Sequence, residues 1–214
     1  MLKVPNGAAA FGMAADGTRI IIHGGMQEYG KMSNQLYELQ ASKWEWKKLD
    51  QKCSKGLKSI PSTRMCHSFD TLVDKVVLFG GVRNCADNPE KQFKPEYLND
   101  VYYLELLTGS GVGAWIKPDI TGVGPSPRES HSAVIYKPEG RSHMMVIYGG
   151  KDRNKRLGDL WSLDTGTNTW TELKPLGNAP PARSLHTSIL ISNDRMVVIG
   201  GIKAKDENKE IMMR

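Results

Sequence analysis

The stretch "SPRESHSAVIY", Ser126 to Tyr136, decides the fold because its pattern returns twice elsewhere in the chain. "STRMCHSF" (62–69) precedes it and "PARSLHTS" (181–188) follows it. Each copy keeps an arginine and a histidine three residues apart: Arg64 and His67, Arg128 and His131, Arg183 and His186. An enzyme normally needs one catalytic pair, whereas a pair that is present in every repeat has a structural role in that repeat. The recurrence therefore favours a structural repeat over an active site.

The residues that follow these pairs form a second recurring pattern. A short apolar run ends in two glycines four times, and these glycine pairs lie 56, 69 and 51 residues apart. They are Gly24 and Gly25, Gly80 and Gly81, Gly149 and Gly150, and Gly200 and Gly201. The longest interval contains the insertion "VRNCADNPEKQFKPEY". Intervals near 50 residues are typical of one four-stranded blade of a β-propeller, with glycine where neighbouring backbone comes close.

The first three glycine pairs are each followed by an aromatic strand and then by a tryptophan. The strands "NQLYEL", "NDVYYLEL" and "GDLWSLD" have apolar residues at alternating positions, as a half-buried strand requires. One unit contains the extra stretch "TGSGVG" before its tryptophan, which we interpret as a hairpin loop. Large aromatic residues are expected to anchor adjacent sheets at Tyr37, Tyr102 and Trp161 on one strand and at Trp46, Trp115 and Trp170 on the next.

Composition and charge disfavour several classes of function. The net charge of +6 is spread along 214 residues, whereas phosphate binding needs the charge on one face. The three cysteines form no Cys-x-x-Cys pair, which argues against a zinc knuckle or a disulfide framework. No apolar stretch has the length of a signal peptide or a membrane span. The sequence predicts an intracellular, soluble protein with no cofactor, no metal, and no direct contact with nucleic acid or membrane.

The unit of Arg-x-x-His, glycine-pair strand, aromatic strand and tryptophan strand resembles the kelch repeat. Several stretches, among them "ELQASKWEWK", "PRESH" and "RLGDLW", resemble the amino-terminal kelch domain of the host cell factor family, in the family's order. The resemblance covers nearly all of residues 7–201. It implies an all-β, kelch-repeat β-propeller with six blades, of which this chain contains about four, so that the ring is incomplete.

The expected units follow from the repeat. Residues 1–49 form a partial blade, 61–118 and 125–174 form two blades, 180–201 start a further blade, and 202–214 form a divergent tail. Two positions depart from the family pattern: Phe11 replaces a histidine, and no aromatic strand follows Gly201. Because closure of the ring is what removes exposed sheet edges, we expect the chain alone to be marginally stable, aggregation-prone or dependent on a partner.

The resemblance also implies a function. Host cell factor propellers recruit proteins that carry a short Asp/Glu-His-x-Tyr peptide, so the implied partners are transcription factors and subunits of histone-modifying complexes, in the nucleus and with the cytoplasm left open. A peptide carboxylate prefers a desolvated guanidinium. The candidate binding residues are Arg64, Arg128, Glu129, His131, Arg153, Arg156, Arg183 and His186.

The repeated arginines and histidines also have a structural interpretation. For each arginine and histidine of the repeated pairs, the favoured interpretation is a scaffold residue that bonds backbone carbonyls and turns at the strand entrance. Glu129 does not recur and is the preferred functional residue. His23 and His143 lie outside the pattern and are interpreted as incidental.

Two other functions remain open. A cytosolic kelch adaptor for trafficking or ubiquitin ligation would share the fold, but "ELQASKWEWK" and "PRESH" disfavour it. A kelch-fold metal-dependent enzyme would need ligands that converge at the ring centre, and Cys66 beside His67 is the one pairing that offers a thiol. The sequence contains no Gly-x-Ser-x-Gly, His-Glu-x-x-His or P-loop motif, so we predict that the protein is not an enzyme.

Overall fold

A computed structural model describes residues 4–27, 31–89, 91–192 and 195–204 of the chain. All regular elements in these ranges are β-strands, and nearly all neighbouring strands pair antiparallel in chain order. None of the described residues lies in a helix long and apolar enough to cross a membrane. The all-β architecture confirms the predicted fold class.

The first three sheets each contain four consecutive strands paired in chain order, and we number them blades I to III. Blade I contains β1 (Gly12–Asp16), β2 (Arg19–His23), β3 (Leu36–Gln40) and β4 (Glu45–Lys48). Blade II contains β6 (Ser68–Thr71), β7 (Lys75–Asn84), β8 (Pro95–Leu106) and β9 (Val112–Ile116), and β5 (Lys52–Cys53) pairs in parallel with its outer strand β9. Blade III contains β10 (Ser132–Tyr136), β11 (Met144–Lys151), β12 (Arg156–Asp164) and β13 (Thr169–Leu173).

Blade IV is partial. Strand β15 (Thr187–Ser192) pairs with β16 (Arg195–Ile199), and β14 (Arg183–Ser184) pairs with β17 (Ile202–Lys203). The first residues of the expected tail therefore belong to a sheet, while residues 205–214 of that tail lie outside the described residues. The described part of blade IV has no third long strand, and the ring is open, as the sequence predicts.

The hydrophobic core lies between the blades rather than within one of them. Strand β7 shows why, because its alternate side chains face opposite ways and residues 76–82 are all buried. Val76 and Leu78 belong to the cluster between blades I and II, and Val77 and Phe79 to the cluster between blades II and III. The first cluster includes the fully buried Trp115. Blade II is therefore stabilised by its neighbours on both faces.

The glycine pairs allow this close stacking. A Cβ atom at Gly80 would lie 3.0 Å from the Arg128 carbonyl oxygen, and one at Gly81 would lie 2.7 Å from the Met65 carbonyl oxygen. Both glycines have positive φ, 66° and 96°, and the strand register shifts between Phe79 and Gly81. The first glycine of the pair therefore contacts the next blade, and the second contacts the entrance of its own blade.

The "TGSGVG" loop (108–113) of blade II forms hydrogen bonds with blade I. Ser110 Oγ and the Gly111 amide donate to the Glu38 carboxylate at 2.6 and 2.8 Å. Arg19, 4% exposed, bonds Glu38 at 3.2 Å and donates to the carbonyls of Leu107 and Gly111. The loop is thus a structural contact between blades, which explains the longer spacing before Trp115.

Candidate functional site

Arg64 and Arg128 occupy equivalent places at the entrances of blades II and III, and both are 0% exposed. The two terminal nitrogens of Arg128 each donate to the Asp159 carboxylate at 2.7 Å, and Nη1 also donates to the Gly149 carbonyl at 3.0 Å. Arg64 forms the same bidentate pair with Asp100 at 2.6 and 2.9 Å. A bound peptide would have to displace an aspartate to reach either guanidinium, which favours a scaffold role for both arginines.

Sequence reasoning missed the two aspartates. Each precedes the aromatic residues of its blade's third strand, in "NDVYYL" and in "GDLW". Desolvation raises the pKa of the Asp159 carboxyl, hydrogen bonds and charge of Arg128 lower it, and the net pKa lies below the ordinary value. In blade I the equivalent places hold Ala8 and Gln35, so both charges are absent together. The joint absence of the arginine and the aspartate in blade I was the feature of the sequence that could have revealed the pairing.

The repeated histidines are buried and lie at the starts of the inner strands. The His131 ring meets the Phe79 ring edge-on, with centroids 5.2 Å apart, and His186 meets Tyr148 at 5.4 Å in the same manner. Phe79 and Tyr148 each directly precede the glycine pair of the preceding blade. His186 Nε2 also lies 2.8 Å from Ser132 Oγ. These side chains pack blade against blade, and a surface ligand would meet little of them.

His23 belongs to this repeated contact, so its interpretation as incidental was wrong. It is 1% exposed and directly precedes the first glycine pair. Its ring meets the His67 ring edge-on at 5.2 Å, and its Nδ1 lies 3.2 Å from His67 Nε2. The hydrogen-bond partner of His67 is thus a side chain, where a backbone carbonyl was expected.

Burial keeps these imidazoles neutral. It lowers the pKa of His23 and of His131 to about 3, and that of His67 well below its ordinary range. Within the described residues, no group of three or more His, Cys, Asp or Glu side chains is arranged to hold a metal ion. The buried histidines of the inner strands are therefore packing residues at the contacts between blades.

We expect mild acid to destabilise the protein because of these histidines. In the unfolded chain these histidines take up protons as pH falls below 6.5, whereas in the folded protein they stay neutral down to about pH 3. The free energy of unfolding therefore decreases as pH falls from 6.5 toward 3. Desolvation raises the pKa of Asp70 to about 7, which acts in the opposite direction, since its protonation as pH falls favours the fold. The pKa of His186 is also lowered and that of Glu129 is also raised, so four histidines act against two carboxyls, and the melting temperature should drop by on the order of 5–10 °C between pH 7.5 and pH 5.

Thermal unfolding followed by circular dichroism measures this drop. The Asp70→Asn variant removes one of the opposing carboxyls and should show a larger drop than the wild type. His131→Phe removes one of the histidines and should show a smaller one. A melting temperature that rises on acidification would contradict the argument.

Four of the candidate residues keep solvent exposure on one side of the molecule, which we call the entrance face. It is formed by segments 62–66, 126–130 and 181–185 and by the ends of β7 and β11 that pair with the first two of them, together with the β11–β12 turn at 152–155. Glu129 is half-buried, its backbone pairs with Lys151, and desolvation raises the pKa of its carboxyl. Arg153 is exposed, and Arg156 Nε donates to Ser184 Oγ at 3.2 Å. The entrance face therefore carries both an acid and several cations.

Arg183 differs from its two equivalents. Its Nε donates to the Pro181 carbonyl at 3.1 Å and its Nη1 to the Gly200 carbonyl at 2.7 Å, as in the other blades. Within the described part of the chain, however, no aspartate faces it as Asp100 and Asp159 face Arg64 and Arg128. Arg183 is half-buried, and within the described residues its guanidinium has a free place for a carboxylate.

The stacked four-stranded sheets with repeated Arg, His and Gly-Gly define a kelch-repeat β-propeller. The family model described as "Host cell factor, Kelch-repeats domain" matches residues 2–213. The chain belongs to this host cell factor kelch family, as its sequence predicts.

The curated relatives agree. Host cell factor 1 of Homo sapiens is 50% identical over 199 residues, which are 92% of this chain and 10% of that protein. Host cell factor 2 of Homo sapiens is 47% identical over 209 residues, 97% of this chain and 26% of that protein. Kelch domain-containing protein 1 of Mus musculus is 26% identical over 200 residues, 87% of this chain and 47% of that protein. The chain thus spans a tenth to a quarter of the host cell factors that it matches.

Proposed function

We propose that this chain is a protein-interaction scaffold that recruits proteins bearing an Asp/Glu-His-x-Tyr peptide to transcription and chromatin-modifying complexes in the nucleus. Membership of the host cell factor kelch family supports this class of function. The proposed partners are transcription factors and subunits of histone-modifying complexes. An enzymatic role has less support, since burial raises the pKa of the Cys66 thiol and so disfavours a reactive thiolate.

The place beside Arg183, which no carboxylate among the described residues fills, carries the proposal. In blades II and III the same guanidinium position binds a carboxylate in bidentate geometry, at 2.6 to 2.9 Å. The acidic residue that begins the peptide would supply this carboxylate to Arg183. A bidentate, charge-assisted pair of this kind is among the stronger polar contacts in proteins.

Glu129 lies close enough to contribute to the same site. The Leu185 amide donates to the Ser130 carbonyl at 3.0 Å, which brings residue 129 of blade III near Arg183 of blade IV. The Glu129 carboxylate would accept a hydrogen bond from the peptide's histidine. Arg153 and Arg156 would attract the acidic peptide from solution, an effect that weakens with salt. His131 and His186 are buried at the starts of the adjoining inner strands and would hold the backbone of this site in place.

Fluorescence anisotropy with a labelled Asp-His-x-Tyr peptide tests the proposal. The wild-type chain should bind saturably, and a peptide with alanine in place of its histidine and tyrosine should not bind. Arg183→Ala should weaken binding at least tenfold, because a desolvated charge pair contributes about 2 kcal/mol or more. Arg141→Ala, an exposed arginine in the β10–β11 turn, is the matched control and should bind normally.

Each negative result has its own meaning. Equal binding of the two peptides would overturn the proposed function. Specific binding that survives Arg183→Ala would retain the function and remove Arg183 from the site.

A further inference from the structure

The innermost strand of blade II carries a carboxyl at a position where the neighbouring blades carry apolar side chains. Asp70 of β6 corresponds to Ala14 of β1 and Val134 of β10, which are buried at 4% and 7% exposure. Thr71 of the same strand bonds the Ala15 carbonyl of blade I at 2.7 Å. Because side chains alternate along a strand, Asp70 faces the other way, toward blade III.

The Asp70 carboxyl has no counter-ion in this interface. Within the described residues no hydrogen bond or ion pair reaches it, and desolvation is the one cause that raises its pKa, to about 7. A carboxyl that is desolvated without a partner costs stability, so its presence calls for an explanation. A residue that breaks the local pattern of the repeat in this way indicates a role other than packing.

Two more polar side chains of the same interface have unused hydrogen-bonding capacity. Ser68 Oγ and both ring nitrogens of His131 are buried and have no partner among the described residues. In the next interface the equivalent groups bond each other, since Ser132 Oγ lies 2.8 Å from His186 Nε2. The interface between blades II and III lies inside the array of blades, so this difference does not depend on the open ends of the ring.

Asp70, Ser68 and His131 line one polar cavity of about 210 Å³, where the first strands of the four blades come together. The described lining contains no lysine or arginine. Burial keeps the histidines of the lining neutral, and it lowers the pKa of His131 to about 3. In the described part of the cavity an ionised Asp70 is therefore a negative charge without compensation.

We propose that this cavity binds a primary ammonium group, with Asp70 as the counter-ion and with Ser68 Oγ and one ring nitrogen of His131 as further acceptors. An ammonium group has three N–H donors and no acceptor, which matches one carboxylate, one hydroxyl oxygen and the unprotonated nitrogen of a neutral imidazole. An anionic ligand would be repelled by Asp70, and a neutral ligand would leave its charge uncompensated. The ammonium belongs either to a small alkylamine or to a lysine side chain of a partner protein. Binding here does not require the Asp/Glu-His-x-Tyr peptide.

Titration of the wild-type chain with n-butylammonium chloride at pH 8, where Asp70 is ionised, tests the proposal. The pKa of the Asp70 carboxyl, followed by carbon-13 NMR, should fall on binding, and the melting temperature should rise. Tetramethylammonium chloride has the same charge but no N–H donor and should have neither effect at equal concentration.

Two variants assign the effect to this cavity. Asp70→Asn keeps the shape of the side chain and should weaken butylammonium binding about tenfold or more, because the buried charge pair is lost. Asp74→Asn removes an exposed aspartate of the β6–β7 turn and should bind like the wild type. Circular dichroism checks that both variants are folded.

A lysine-containing peptide distinguishes the two sources of the ammonium group. The probe is acetyl-Gly-Gly-Lys-Gly-Gly-amide, with alanine in place of lysine as its control. Binding of the lysine peptide at least as strong as that of butylammonium supports a partner protein, and weaker binding supports a small amine. Equal effects of butylammonium and tetramethylammonium, butylammonium binding that survives Asp70→Asn, or an Asp70 carboxyl that does not respond would overturn the proposal and leave the cavity to ordered water.

Discussion

Replacing Arg128 with alanine is expected to destabilise the fold by about 3 to 5 kcal/mol. The substitution leaves the Asp159 carboxylate and the Gly149 carbonyl without the donors that Arg128 supplies at 2.7 and 3.0 Å. Proteins of this size have total stabilities of about 5 to 15 kcal/mol, so the substitution removes a large share of the total. Urea unfolding followed by tryptophan fluorescence measures the loss, because Trp170 is buried in the adjoining cluster.

Blade I supplies the design of the control for this prediction. The double variant Arg128→Ala with Asp159→Gln reproduces the Ala8 and Gln35 arrangement of that blade and should regain much of the lost stability, since no charge is left unpaired. Arg153→Ala removes an exposed arginine and should change stability by less than about 0.5 kcal/mol. If Arg128→Ala costs no more than Arg153→Ala, the buried ion pair does not stabilise the fold.

Substitution of Gly150 with alanine should cost a similar amount for a different reason. Gly150 has a φ of 100°, and an added Cβ would lie 2.7 Å from the Glu129 carbonyl oxygen and 2.9 Å from the His131 Cβ. The backbone conformation costs about 1 to 2 kcal/mol, and the clash adds about 1 to 3 kcal/mol. Thermal unfolding should therefore show a melting temperature lower by on the order of 10 °C.

Gly177→Ala separates the two contributions. Gly177 also has positive φ, 78°, but nothing lies within 4 Å of its Cβ position. This variant should show the conformational cost alone and a smaller decrease. Equal decreases in the two variants would show that close approach of the backbone at Gly150 has no energetic role.

Much of the fold was predictable because the same strand and turn patterns recur in each blade, so each copy supports the interpretation of the others. The glycine pairs mark the second strand of each blade, directly after β2 and β16 and within β7 and β11, and the aromatic patterns mark β3, β8 and β12. The pairing of β17 with β14 was not predictable, since two residues carry no periodicity. The contact of "TGSGVG" with Arg19 and Glu38 was also missed, because it joins residues more than 70 positions apart through side chains.

The candidate site was predictable only in part, because identical motifs occupy different surroundings. Arg64, Arg128 and Arg183 look alike in sequence, yet two of them have an aspartate partner 36 or 31 residues away and the third does not among the described residues. His23 was missed because it belongs to the position before the glycine pair, where other blades have Phe79 and Tyr148. Alignment of that position across blades would have found it.

The buried arginine–aspartate pair also limits how such a propeller can evolve. A blade that holds Arg128 with Asp159 and a blade that holds Ala8 with Gln35 both leave no buried charge unpaired. The path between them passes through a chain with one unpaired charge, which costs about 3 kcal/mol or more. In a protein whose total stability is not much larger, most single steps along this path would be eliminated. The two residues are therefore inherited or lost as one unit.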